Sequence, residues 1–201
     1  MKILKHFSLG NIRVNIHFLS PLSVFALIFA ESSIYSFVVL FCALIHEMGH
    51  IAAIYFLKAG ISEISLLPFG AEIKMKNTVG YLYDFIIAIS GPFSNIILGG
   101  IFWSIYLLCP HPVPLFGLIS SLFLAAINLV PVKSFDGGRC VRSLAFSLME
   151  YEKALRFIKI TELLSLIVLT FLSFLAVRYS YFNISLCAIC IYLFVCVYSA
   201  Q

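Results

Sequence analysis

Apolar positions along the chain come in long unbroken blocks rather than in one-sided helical stripes. From Phe85 to Cys109, 25 consecutive residues pass without an Asp, Glu, Lys or Arg, more than the ~20 that a helix needs to cross the hydrocarbon of a bilayer. Similar blocks run from Ile34 to Leu57, Pro114 to Val132, Leu163 to Val177 and Tyr181 to Ala200, the block from Leu163 gaining length backward past Glu162. A weaker sixth runs from Ile16 to Ala30. Lys2 and Lys5 ahead of it resemble the start of a signal peptide, but no A-x-A cleavage site follows, so it reads as a span. Two stretches have a different period. Apolar and polar residues alternate from Ile12 to Phe18, and again from Ile61 to Lys76 on either side of Pro68 to Gly70, which predicts strands at the cytoplasmic edge. The pattern predicts an all-α polytopic membrane protein of about six transmembrane helices with a small β element at the cytoplasmic interface.

Composition supports the same reading. Hydrophobic residues make up 62% of the 201 residues and charged ones 11%, against roughly 45–50% and about 25% in soluble domains. The net charge of +4 is too small and too scattered to form a nucleic-acid surface, so no nucleic-acid partner is expected. The charges instead report orientation. With six spans and a cytoplasmic amino terminus, Lys2, Lys5, Arg13, Lys58, Lys74, Lys76, Lys133, Arg139, Arg142, Lys153, Arg156 and Lys159 lie inside and only Arg178 outside, a strong positive-inside bias. Cys42, Cys187, Cys190 and Cys196 sit in uncharged runs and read as reduced core residues. The CxxC spacing of Cys187 and Cys190 has no second pair or histidine beside it.

The second block carries chemistry. It reads His46, Glu47, Met48, Gly49, His50, which puts two imidazoles on one helical face, four residues apart, with Glu47 beside the open position of a shared cation: the HExxH zinc-hydrolase pattern. An ionisable side chain at mid-membrane costs roughly 2.5–3.5 kcal/mol on insertion scales, so three polar groups in five residues need either compensation, as in a polar cluster that binds neighbouring helices or ions, or a function. A catalytic zinc takes a third protein ligand, and the carboxylates on offer are Glu63, Glu72, Asp84, Asp136, Glu150, Glu152 and Glu162. Glu72 lies 22 residues past His50 but belongs at the interface. Asp136 is the better choice, because Pro131 breaks the fourth block and Gly137 and Gly138 permit backbone conformations closed to other residues. His46 lies 12 residues before Lys58, roughly 18 Å along a helix. Asp136 can join it only if the chain unwinds after Asn128 and lines a polar cavity.

At these residues the sequence resembles the site-2 protease family of intramembrane zinc metalloproteases. His46, Glu47 and His50 match its HExxH; Asn128, Pro131, Asp136 and Gly137 match its N-x-x-P-x-x-x-x-D-G; and Gly91, Pro92 and Asn95 match its G-P-x-x-N. Ile64 to Gly70, Ile-Ser-Leu-Leu-Pro-Phe-Gly, is most similar to the bacterial sporulation branch of that family. That branch usually has a second glycine where this chain has Ala71, and usually carries a cytoplasmic CBS domain after the last span. Here the sequence ends at Gln201, and a single metalloprotease domain over 1–201 without a soluble regulatory domain is expected.

The resemblance implies a multi-pass protein of the bacterial cytoplasmic membrane that hydrolyses peptide bonds of membrane-spanning or membrane-associated proteins. His46, His50 and Asp136 would hold Zn²⁺, Glu47 would serve as general base and Asn128 would orient the substrate or bond its carbonyl. Membrane-protein regulators are further expected partners beside the bilayer. A helical substrate must unwind before cleavage, and the Ile64 to Lys76 stretch is the candidate for capturing it by β-addition, with the strand near Ile12 as its neighbour. Gly91 and Pro92 are expected to allow close helix packing and a bend, and His17 to be an interfacial imidazole. Two other classes compete: a metal-ion transporter and an inactive membrane scaffold. Transport would need a second set of ligands, but no carboxylate or imidazole occurs between Leu163 and Ala200, and a scaffold has no need of Glu47.

Overall fold

The computed structural model describes residues 3–9, 12–17, 34–67, 70–76 and 80–179, with the side chains of 3–9, 12–17, 64, 66–67, 70–74 and 172–179 excepted. Most of the expected first span and all of the expected last one, with Cys187, Cys190 and Cys196, lie outside the described residues. Ile16, where the first span was expected to begin, is instead part of a strand. The chain is mostly helical and divides into two compact units, 1–126 and 127–201.

The first unit holds a four-stranded sheet and three helices. Strands β1 (Ile3–Leu9), β2 (Ile12–His17), β3 (Ile61–Leu67) and β4 (Gly70–Met75) lie in sequence order across the sheet. β1–β2 and β3–β4 are antiparallel, whereas β2 and β3 run parallel, pairing Val14 with Ile64 and Ile16 with Leu66. A parallel pair needs a long crossover, and helix α1 (Ile34–Phe56) lies within it. β1 was not anticipated. Its alternation is broken by a register shift between Ile3 and Lys5, so the sequence lacks the period-2 pattern that marks β2. Between α1 and β3 the chain turns through two left-handed residues, Lys58 (φ 53°) and Gly60 (φ 68°).

Helix α2 (Tyr81–Leu108) starts four residues before the expected span. Asp84 fits in its first turn because a carboxylate is favoured at a helix N-terminus. Among the described residues, α1 and α2 are the two helices long and apolar enough to cross a membrane; α3 (Pro112–Asn128) is a shorter apolar helix. The side distribution on α1 and α2 is inverted relative to a water-soluble helix. Most buried positions are small or polar (Ser36, Cys42, His46 and His50 on α1; Gly91, Asn95 and Gly99 on α2), with Ile54, Ile87 and Leu98 the large apolar exceptions, while Phe37, Leu44, Tyr55, Phe93, Ile97 and Leu107 are exposed. Small residues let the backbones approach, and apolar side chains face outward, the arrangement that suits a lipid solvent. A Cβ on Gly49 would stand 2.5 Å from the Ser90 carbonyl oxygen, and the Ser94 hydroxyl lies 3.0 Å from the Ile45 carbonyl oxygen across the α1–α2 seam. On the other flank of α1, Cys42 Sγ lies 3.2 Å from Ser121 Oγ of α3.

The second unit opens with the end of α3. The apolar block continues to Val132, but the helix stops at Asn128, because Pro131 cannot donate to the Ile127 carbonyl and forces its predecessor out of helical geometry. Val130 N–H bonds to Ile127 O instead, a tighter last turn. Residues 129–135 are irregular, and helices α4 (Asp136–Leu148) and α5 (Tyr151–Tyr179) follow. The expected span from Leu163 to Val177 lies within α5. From that helix the Glu162 carboxylate accepts the Lys133 backbone N–H at 3.0 Å, which ties down the segment after the proline.

Candidate metal centre

Helical spacing brings His46 and His50 together on the inner face of α1, 5% and 8% exposed. Their Nε2 atoms are 3.3 Å apart, with the ring planes at 80°. The rings are held from behind by α2. His50 Nδ1 lies 2.8 Å from the Ile87 carbonyl oxygen, which can only accept, so Nδ1 carries the proton and Nε2 presents its lone pair. His46 Nδ1 lies 3.1 Å from Asn95 Nδ2. Gly91 makes the room: a Cβ there would meet His50 Nε2 and stand 2.6 Å from His50 Cε1 and 2.9 Å from His46 Nε2. Close packing at Gly91 thus takes the particular form of a floor beneath two imidazoles. Glu47 is half-buried on the same turn, with its Oε2 atom enclosed by protein.

The pair fits a tetrahedral cation. Two nitrogens each ~2.0–2.1 Å from a tetrahedral zinc lie about 3.3 Å apart, the separation observed here. The donors are imidazole nitrogens, which favour zinc over magnesium or calcium.

In the second unit Asp136 is the first residue of α4, half-buried, and Asn128 is the last residue of α3, also half-buried. Neither Gly137 nor Gly138 adopts a left-handed conformation, contrary to the reason first given for them. Both are helical, and what they supply is proximity. A Cβ on Gly137 would run into the Leu129 carbonyl group and come within 2.6 Å of Val130 O; one on Gly138 would run into the Val132 carbonyl. The start of α4 lies directly on the irregular segment that precedes it. Of the other carboxylates considered as ligands, Glu63 accepts the Ser65 hydroxyl at 3.1 Å, Glu162 is engaged by Lys133, and Glu150 pairs with Lys153.

Sequence reasoning gave Asn95 no role. It is fully buried, it touches a histidine 49 residues away, and its Oδ1 has no hydrogen-bond partner among the described residues. A carboxamide in the middle of the longest uncharged block, one turn after Gly91, was the available clue.

The fold is that of a site-2 protease. It matches the solved Site-2 Protease from Methanocaldococcus jannaschii with a TM-score of 0.64, covering 96% of this chain and 92% of that one at 19% identity. In sequence the chain is similar to Stage IV sporulation protein FB of Bacillus subtilis (strain 168), 30% identical over 122 residues, 58% of this chain and 42% of the relative. The chain therefore spans about two fifths of the length of the curated relative it matches. No protein-family profile matches it. The chain thus resembles the site-2 protease family, over its whole fold in the solved structure and over part of its sequence in the curated relative.

Proposed function

We propose that the chain is an intramembrane zinc metalloprotease that hydrolyses peptide bonds of membrane-spanning or membrane-associated proteins. The observation that carries this reading is the buried imidazole pair, with its Nε2 atoms at zinc-ligand separation and Glu47 on the same helical turn. His46, His50 and Asp136 would hold the metal, which would supply Lewis acidity to a hydrolytic water and to the scissile carbonyl. Glu47 takes the proton from the attacking water at its carboxylate and returns it to the leaving amine nitrogen. Asn128 donates a hydrogen bond from Nδ2 to the substrate carbonyl as negative charge develops there. Among the described residues β4 is an outer strand of the sheet, and its outer edge receives the unwound substrate as an added strand.

The chain acts as one membrane-embedded metalloprotease domain over 1–201. It crosses the bacterial cytoplasmic membrane six times with its amino terminus inside, and membrane-protein regulators act on it there. The name of the curated relative makes sporulation the setting in which to seek a substrate.

The test is co-expression with candidate single-span proteins, comparing the wild type with Glu47→Gln. The cleaved fragment is expected to fall by about 10²–10⁴-fold, the usual share of a general base, while the purified variant keeps its zinc. Undiminished cleavage by Glu47→Gln, with contaminating protease removed, overturns the assignment. Zinc flux into vesicles that Glu47→Gln leaves unchanged, with no cleavage by the wild type, favours the transporter.

A further inference from the structure

Between the proline break and α4, one peptide unit is held at both of its polar ends. The Lys133 N–H donates at 3.0 Å to a carboxylate oxygen of Glu162, 29 residues further along the chain. The Val132 carbonyl of the same peptide unit accepts the Phe135 N–H at 2.9 Å. Phe135 is the N-cap of α4 and stands immediately before Asp136; its own carbonyl accepts the N–H groups of Gly138 and Arg139 at 3.1 and 3.3 Å. A peptide unit is planar, so its C=O and N–H turn together. An acceptor that fixes the Lys133 N–H therefore also aims the Val132 carbonyl, and through it the turn that opens α4.

Gly138 closes the other side of this peptide. A Cβ there would run into the Val132 carbonyl and stand 2.9 Å from Lys133 N, so α4 lies against the same group that Glu162 holds from α5. Val132 is fully buried, and Glu162, Lys133, Pro131, Gly138 and Arg142 line one small recess. Glu162 is half-buried and adjoins the exposed Leu163 and Leu164, at the edge of the apolar stretch of α5, where a carboxylate is costly unless it is engaged. We propose that Glu162 is a positioning residue for Asp136: by accepting the Lys133 N–H it sets the plane of the 132–133 peptide, and with it the first turn of α4 from which Asp136 reaches a divalent cation. The requirement is for an acceptor atom at that reach, which negative charge alone does not meet. This inference rests on the reading that Asp136 is a metal ligand, and groups that orient ligands from behind typically contribute 10–100-fold to metal affinity.

The experiment measures the zinc affinity of the full chain in detergent, by competition with a chromophoric chelator, and amide hydrogen exchange over 129–136 without zinc. The proteins are wild type, Glu162→Gln, Glu162→Asp, Glu162→Leu and Asp136→Ala. Gln keeps an uncharged acceptor at the same reach and is expected to stay close to the wild type in both readouts. Asp keeps the charge but falls one methylene short, and Leu has no acceptor. In both, exchange at Lys133 should quicken about tenfold or more, as for a lost hydrogen bond to a charged group, and zinc affinity should fall about tenfold, the lower end of the range for such groups. Unchanged exchange in the Asp and Leu variants overturns the inference. So does quickened exchange with normal zinc affinity, which makes Glu162 a brace without influence on Asp136, and so does a Gln variant as impaired as Asp, which puts charge in place of reach. The Asp and Gln variants decide if the Leu variant does not fold. A wild type that binds no zinc, or Asp136→Ala that binds it as tightly, overturns the metal reading and the inference with it; normal affinity in the Asp and Leu variants while Asp136→Ala is impaired overturns the inference alone.

Discussion

In the seam between α1 and α2, Gly91 leaves space for two imidazole rings; at the start of α4, Gly137 and Gly138 leave space for peptide groups. Both regions use the absence of a side chain to bring parts of the chain within contact, yet what lies opposite differs in its freedom to move. An imidazole swings about its side-chain torsions, at the expense of the geometry a metal requires. A carbonyl of the 129–132 segment is fixed in a backbone already constrained by Pro131 and by the bond from Lys133 N–H to Glu162. The first region therefore trades function for accommodation, whereas the second has little to give except the fold.

Three substitutions test that contrast. Gly137→Ala should have the largest effect on folding, since the added methyl meets the Leu129 carbonyl. A destabilisation of about 1–3 kcal/mol or more is expected for overpacking, measured as a lower unfolding midpoint in detergent, and an unchanged midpoint would erase the distinction. Gly91→Ala should leave that midpoint nearly unaltered, because alanine gains ~0.5–1 kcal/mol of helix propensity and the rings can yield. Zinc affinity should instead fall by about tenfold or more, so a variant that unfolds while its folded fraction binds zinc normally would invert the comparison. The smallest effect belongs to Lys153→Ala in the second unit. Its 2.9 Å pair with Glu150 joins side chains 73% and 79% exposed, and a change within about 0.5 kcal/mol is expected.

What the sequence revealed followed the range of the interaction. Blocks of apolar residues announced α1 and α2, because lipid-length helices need nothing beyond their own composition. The pairing of His46 with His50 was legible because it is fixed by spacing within one helix. The stop at Asn128 was foreshadowed by Pro131, although hydropathy alone carried the block on to Val132. β1 escaped notice because its bulge destroys the alternation that identifies strands. Gly137 and Gly138 were read as sites of unusual torsion, whereas their significance lies in which atoms face them. Asn95 was invisible as a functional residue for the same reason, since only the packing of α2 on α1 reveals that it meets His46.

The anchor of His50 is a main-chain oxygen, and every amino acid, proline included, brings one to position 87. No substitution of the Ile87 side chain deletes that acceptor, so the position is sheltered from loss by point mutation and constrained only by the volume of a fully enclosed site. A saturation library scored for metal retention should accordingly tolerate Val or Leu at 87 while remaining narrow at 95. Within a single pair of ligands, one orientation would be inherited from the polymer itself and the other from one editable codon.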